Sequence, residues 1–406
     1  MDFLRSIFAP KVPIGVNLIS WATAIRWSGW GFVDALIPIF LFSFVGTYAK
    51  TGLLKSVFDI VFLLALPLVG YIANKVPNKY IILVGLLIYP FIGLSYFFAG
   101  ALGMILFIII ARVLNGVSFA LDSVGRITYI RKHTPREHIA TAFGYFETLT
   151  GFWWILAVFA SLILIRFFAI HELFLAIIPT TLIAFLIILK IPRDKEDNNQ
   201  NHWKKYLSLK SYGKLIKEIR LWSRNLKQLA VISFFSGFIF IFPIFFLPIY
   251  IYAQGGSLQQ VILLVAISAI PRLFGSPLGI LADKIGKKVI PFSFFIITIL
   301  LVWLSLTDIY TFQLIIILFL SLFGLMIRLS IDSETTLAGD PTHYGSLTSA
   351  FTEIGQMSAI IGPIAVGFSM DSIGIKVTIL ILAFIALGLT LFSKIKLKSE
   401  RFKVSS

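Results

Sequence analysis

The sequence predicts an all-α integral membrane protein, with twelve transmembrane helices arranged as two parallel six-helix bundles. Three observations carry that prediction. The 406 residues are 58% hydrophobic, with a mean hydropathy of +0.94. A water-facing domain of that length cannot hide so much apolar surface. Apolar runs of about 18–27 residues, each long enough to cross about 30 Å of hydrocarbon, recur along the chain. The chain also repeats itself at an offset of 208–210 residues.

The twelve runs are 19–45, 52–74, 80–100, 103–128, 139–165, 172–190, 228–252, 257–281, 288–307, 311–331, 346–370 and 376–394. They show no period-two alternation, which favours helices over a barrel. In the first run Arg26, Trp30, Asp34 and Pro38 are spaced by four and share one helix face, with Trp27 beside it. The fourth carries Arg112 and Gly116 in "ARVLNG". The fifth adds Trp153 and Trp154. The seventh is crowded with Phe, Phe242 among them, and broken by Pro243 and Pro248. Shallower acids are Asp59 in run two, Glu147 in run five and Glu353 in run eleven. Asp122 and Arg126, and Arg328 and Asp332, form i,i+4 pairs at the ends of runs four and ten, and Arg272 joins the same network.

Net charge is +16. In a soluble chain that would suggest nucleic acid, but here its placement says more. Lys75, Lys79, Arg131, Lys132, Arg136, most of 190–227, Lys284, Lys287, Lys288 and the tail from Lys394 all fall on one side. The other side keeps Lys50, Lys55, Arg166 and Lys376. By the positive-inside rule both termini are cytoplasmic, in a multi-pass protein expected at the plasma membrane. The halves align through Ser28-Gly29 with Ser236-Gly237, "GYIANK" with "GILADK", Ala142-Phe143 with Ala350-Phe351, and "ALDS" with "SIDS". The expected domains are a bundle over 1–190, a cytoplasmic linker over 191–227 and a second bundle over 228–406. The linker reads either as a tether between the halves or as a regulatory or partner-binding helix on the membrane surface, with Leu207, Leu215 and Trp222 on its apolar face.

Several classes are set aside. The chain has no cysteine, which removes disulfides, thiolate metal sites and Cys catalysis. The N-terminal stretch lacks the layout of a cleavable signal peptide. The five histidines are scattered, and no phosphate-binding glycine loop is present. The expectation is therefore a protein that is not an enzyme, with no catalytic residues, no metal, no cofactor and no nucleic-acid partner.

"GILADKIGKK" resembles the loop signature of the major facilitator superfamily, in which Gly279, Asp283, Gly286, Lys287 and Lys288 all fit. The resemblance covers the whole chain: twelve runs, the parallel duplication, the central loop, and the signature in both expected places. It implies a transporter whose loop latches the cytoplasmic side. In the first copy, with Gly70, Asn74, Lys75 and Lys79, Asn74 replaces the acid and Pro77 the glycine, which points to a weaker latch. The alternative is that both turns only orient the helices. "ARVLNG" resembles the superfamily's Arg-x-x-x-Gly signature of proton-coupled antiporters. "GQMSAIIGPIAVG" resembles its Gly-Pro antiporter signature, but it lies in the other half with different spacing, and close helix packing is the simpler reading.

A buried ionisable group is costly in a membrane and marks a functional candidate. Asp34 and Arg112 stand near mid-span, where Arg112 would set the proton affinity of Asp34. Three roles fit Asp34: proton coupling, a permanent ion pair, or substrate contact. Glu147 and Glu353 are secondary coupling candidates. Arg26, Trp27, Trp30, Trp153 and Phe242 form a candidate cavity wall for an amphipathic organic solute, unless the rings face lipid. The gate set is Gly70, Asn74, Lys75, Lys79, Asp122, Arg126, Gly279, Asp283, Gly286, Lys287, Lys288, Arg328 and Asp332. The expected protein is a monomeric secondary transporter in the lipid bilayer, taking a small-molecule substrate and protons and exporting amphipathic compounds. Metabolite import or facilitation is the alternative; a membrane enzyme or a non-transporting sensor stands behind both.

Overall fold

A computed structural model describes residues 12–73, 76–135, 139–192, 222–275, 278, 281, 285–338 and 344–394. Most of the 191–227 linker, together with Asn74, Lys75, Gly279 and Asp283, lies outside these residues. The described regular structure is helical. In chain order the helices are α1 (Ile14–Asp34), α2 (Ile37–Val45), α3 (Tyr48–Ala73), α4 (Asn78–Leu102), α5 (Ile105–His133), α6 (Ile139–Leu164), α7 (Ile170–Leu173) and α8 (Ile177–Leu189). There follow α9 (Arg224–Ile241), α10 (Leu247–Ala253), α11 (Leu258–Ala269), α12 (Val289–Leu306), α13 (Tyr310–Ala338), α14 (Tyr344–Ile373) and α15 (Ile375–Lys394).

Every apolar run of the sequence meets helix. Ten stretches are long and apolar enough to span a membrane unbroken, and α1 with α2 makes a bent eleventh. The run at 257–281 appears as the shorter apolar stretch Leu258–Phe274, so the described residues support ten or eleven of the twelve spans. Large apolar side chains stand exposed on the outer faces, including Leu64 (67%), Phe91 (61%) and Phe384 (75%). Such faces suit lipid rather than water.

The bend in span one has a local cause. Pro38 has no N–H to return to the carbonyl of Asp34, and its ring crowds that turn. The helix stops at Asp34, Leu36 N bonds Val33 O at 2.8 Å, and α2 departs at 44°. Span seven is irregular too. Residues Phe242–Phe246, with Pro243 inside, form a π-helical turn between α9 and α10, a device that recurs at functional sites. Asp34 and Phe242 are 208 residues apart, so the first helix of each repeat departs from α-geometry at the same position.

The chain forms two compact units. The first takes the described parts of Met1–Phe44, Val57–Ser208 and Gly255–Ala266. Here α1 packs on α6 and α8, and α4 on α5. Small residues allow the approach: a Cβ on Gly31 would lie 2.7 Å from the Trp154 carbonyl, and Ser118 Oγ donates to the Gly85 carbonyl at 2.7 Å. Lys79 Nζ closes the end of α8 by donating to the Leu189 and Ile191 carbonyls at 2.7 and 2.8 Å. The second unit takes the described parts of Val45–Ser56, Leu209–Gln254 and Ile267–Ser406. In it α9 packs on α14 and α12 on α15, Ser358 Oγ donates to the Phe234 carbonyl at 2.7 Å, and Gln228 Nε2 to the Phe392 carbonyl at 2.6 Å. Helix α3 changes unit after Ser56.

Candidate functional site

The densest charge cluster of the first unit joins α1 to α5. Arg26 Nη2 and Arg126 Nη2 both lie 2.8 Å from Asp122 Oδ2. The three side chains are 1–5% exposed. Arg126 Nε also donates to the Asp122 carbonyl at 3.2 Å, and its Nη1 reaches Thr23 Oγ1 at 3.4 Å. The Arg26 guanidinium lies 4.5 Å from the Tyr89 ring centre, and that of Arg126 lies 5.4 Å from Phe146. The Arg26 contact is close but poorly directed as a hydrogen bond, and Arg26 Nε has no partner among the described residues. Two cations on one carboxylate leave a net positive charge where water is scarce. Aromatic faces and the ion contacts together offset that cost.

This arrangement answers part of the sequence reading. The i,i+4 pair Asp122–Arg126 is present. Arg26, placed by sequence on a cavity wall, is part of the triad, and Pro38 falls beyond the bend that interrupts its shared face. Trp30 is 8% exposed and edge-on to Tyr89, with centres 6.2 Å apart. Trp27 is half-buried, Trp153 meets Trp21 edge-on at 6.1 Å, and Phe242 is fully buried in the π turn.

The second cluster gathers at the bend. Asp34 is half-buried and accepts a hydrogen bond from Trp154 Nε1 at 2.8 Å. Helices α1, α4 and α5 bring Asp34, Tyr96 and Arg112 into one neighbourhood. Arg112 is 6% exposed, and its Nε and Nη2 have no hydrogen-bond partner among the described residues. The Tyr96 ring stacks on Phe174 at 4.4 Å. Gly116 lets α3 approach α5, since a Cβ there would lie 2.9 Å from the Phe58 carbonyl. Sequence reasoning missed Trp154 as the partner of Asp34. The available signal was Gly31, one turn from Asp34, which brings α6 close.

The remaining candidates are scattered. Asp59 is buried and Glu147 exposed on α6. Glu353 is half-buried on α14, and Arg328 and Asp332 are exposed on α13. Gly70 has open space around it. Gly286, at φ 65°, adopts the left-handed backbone that favours glycine, and Lys287 and Lys288 follow it in a 3₁₀ turn. Among the described residues no group of His, Asp or Glu could hold a metal ion. In the second unit, Lys376 Nζ and the Tyr250 hydroxyl meet Asp308 at 2.8 and 2.9 Å. The Lys376 bond first, and the Tyr250 bond second, hold the Asp308 carboxyl below the usual carboxylate range.

A helical bundle with apolar outer faces, buried charges inside and a broken first helix in each repeat is the build of a polytopic membrane transporter. The sequence profile described as Major Facilitator Superfamily matches residues 19–363, and the chain belongs to that superfamily. It is 24% identical over 370 residues to an uncharacterized MFS-type transporter of Methanocaldococcus jannaschii, covering 90% of this chain and 93% of that one. Among solved structures it is similar to the nucleoside transporter NupG, with a TM-score of 0.74 and 15% identity, over 94% of this chain and 98% of that one. It is likewise similar to a D-xylose-proton symporter, with a TM-score of 0.73 and 13% identity, over 93% and 97%.

Proposed function

We propose that this transporter moves a small amphipathic organic solute by alternating access, couples it to protons through Asp34, and works as a monomeric exporter with its basic loops and termini in the cytoplasm of a plasma-membrane protein. One observation carries the reading. Asp34 ends α1 at the bend of span one, is held by Trp154, and shares the neighbourhood of Tyr96 with the buried Arg112. A carboxylate at a helix break, beside a cation on another helix, has surroundings that change whenever those helices move, and its proton affinity changes with them. An interrupted span is the expected mark of a transporter's binding region, and Asp34 stands at such an interruption. The described part of the repeat loop, Gly286 to Lys288, belongs to the cytoplasmic latch in this reading.

The test begins with a thermal-shift screen of purified protein against tetraphenylphosphonium, D-xylose and uridine at acidic and neutral pH. Flux of the responding compound is then measured in proteoliposomes. Asp34→Asn is expected to abolish flux driven by a pH gradient and to spare equilibrium exchange. Equal loss of both would make Asp34 structural, and retention of both would remove it from coupling. The similarity to nucleoside and D-xylose transporters supports a second reading, uptake or facilitation of a polar metabolite. A pH-independent response to D-xylose or uridine would select it.

A further inference from the structure

The start of α9 and the end of α15 form one basic corner of the second unit. Gln228 on α9 donates from Nε2 to the Phe392 carbonyl in the last turn of α15 at 2.6 Å. That bond decides which residues stand beside each other. Arg224 lies one turn before Gln228 on the same face of α9. Lys227 adjoins Gln228, and Lys394 lies two residues past Phe392. All three cations are exposed. Neither helix contains an Asp or a Glu, so no acid of α9 or α15 answers them. The arrangement is costly on the α9 side, because Arg224 and Lys227 occupy the first turn, where the helix dipole already carries positive charge.

The corner is held in place on the α9 side. Ser223 Oγ accepts from Leu226 N at 3.3 Å, and the Trp222 ring stacks on Phe351 of α14 with centres 5.3 Å apart. Two of the cations also end apolar stripes. Lys227, Val231 and Phe235 follow at intervals of four along α9, and all are exposed. On α15, Phe384, Leu391 and Lys394 recur at i, i+7 and i+10, again exposed. Each stripe therefore presents apolar side chains along the span and a cation at its end. The matching ligand has a negative headgroup and apolar chains, which is the chemistry of an anionic phospholipid. Its phosphate suits guanidinium and ammonium donors. The stems of Arg and Lys lie along apolar chains while their heads reach the phosphate.

We propose that the corner between α9 and α15 binds the headgroup of an anionic phospholipid, with Arg224, Lys227 and Lys394 holding its phosphate and the two stripes receiving its acyl chains. The bound lipid supplies the negative charge that the two helices lack. The inference concerns the bilayer partner and depends neither on which solute is moved nor on Asp34 carrying protons.

Native mass spectrometry of the purified full-length protein in neutral detergent tests it. The protein is titrated with phosphatidylglycerol or with phosphatidylcholine of the same acyl chains. The first phosphatidylglycerol is expected to bind far more tightly than the phosphatidylcholine. Replacing the three cations together, Arg224→Gln, Lys227→Gln and Lys394→Gln, should weaken it about a hundredfold, from the usual contribution of each basic side chain at an anionic surface. Lys394→Gln alone should weaken it about fivefold. The pair Arg131→Gln and Lys132→Gln, which removes exposed charges from the first unit, should leave it unchanged. The narrow charge-state distribution of folded protein checks that every variant is intact. Equal affinity for the two lipids would reduce the corner to an apolar face. An equal loss in the first-unit variant would make the attraction diffuse, and displacement of phosphatidylglycerol by millimolar inorganic phosphate would make it a free-anion site. Each of the three results overturns the proposal.

Discussion

Asp122 is a carboxylate that two buried arginines share, and its removal should be felt at once. Asp122→Ala leaves Arg26 and Arg126 facing each other with no counter-charge. The expected loss is about 3–5 kcal/mol, the usual cost of breaking a buried pair from one side. A lowered melting temperature and poor recovery of monodisperse protein would show it. Asp122→Ala at wild-type stability would contradict the geometry. Asp308 presents the opposite case, because it and Lys376 are more than half exposed. Its folded-state carboxyl is held low by Lys376 and then Tyr250. The pair therefore stabilises above the unfolded-state value of about 4, and its contribution is lost as pH falls through the folded value. Lys376→Met should lower stability by less than about 1 kcal/mol at neutral pH, and the difference should vanish in strong acid. A melting-temperature series against pH checks both parts.

At the scale of the elements, helix approach decides which residues meet. Gly31 brings the α1 backbone onto α6 at Trp154, which in turn lets the indole reach Asp34. Gly31→Leu should cost about 1–3 kcal/mol through overpacking and separate the indole from the carboxylate. Thermal unfolding measures the first effect and Trp154 fluorescence, in a chain with the other tryptophans replaced by Phe, the second. The apolar runs and the irregular span seven were legible in the sequence, because proline and hydropathy act locally; the bend before Pro38 was not, since the spacing by four reads as one unbroken helix face. Nor were the partners. Nothing in the order of residues says that Arg26 meets Asp122, that Lys79 closes α8, or that Asp371 caps α3. Those contacts depend on rotation and depth of helices separated by tens to hundreds of residues.

For the whole molecule, the proposed orientation rests on the distribution of charge. Basic residues crowd the ends of the helices around residues 79, 131–133 and 287–288, whereas the turns at 103, 165–169 and 374 keep only Arg166 and Lys376 near them. In intact cells a membrane-impermeant maleimide should label Phe167→Cys and spare Val76→Cys, both introduced into the cysteine-free chain. The reverse pattern would invert the proposed topology. Disruption of the cells should then make Val76→Cys reactive.

The sequence by itself determined the membrane class, the helical runs and the repeat, because each follows from composition and short-range pattern, and its loop motif carried the resemblance to the superfamily. It also marked Asp34 and Arg112 as costly residues in apolar surroundings, and Asp122 with Arg126 as an i,i+4 pair at a helix end. Only the tertiary structure decided which of them are bound to one another. It set Arg26 in an ion triad, gave Asp34 an indole partner, and placed Asp371 on the first turn of a helix from the other end of the chain. The physical reason is that a charge in a bundle answers to whatever group lies within a few ångströms, and in helices that meet side by side those groups are seldom neighbours in sequence.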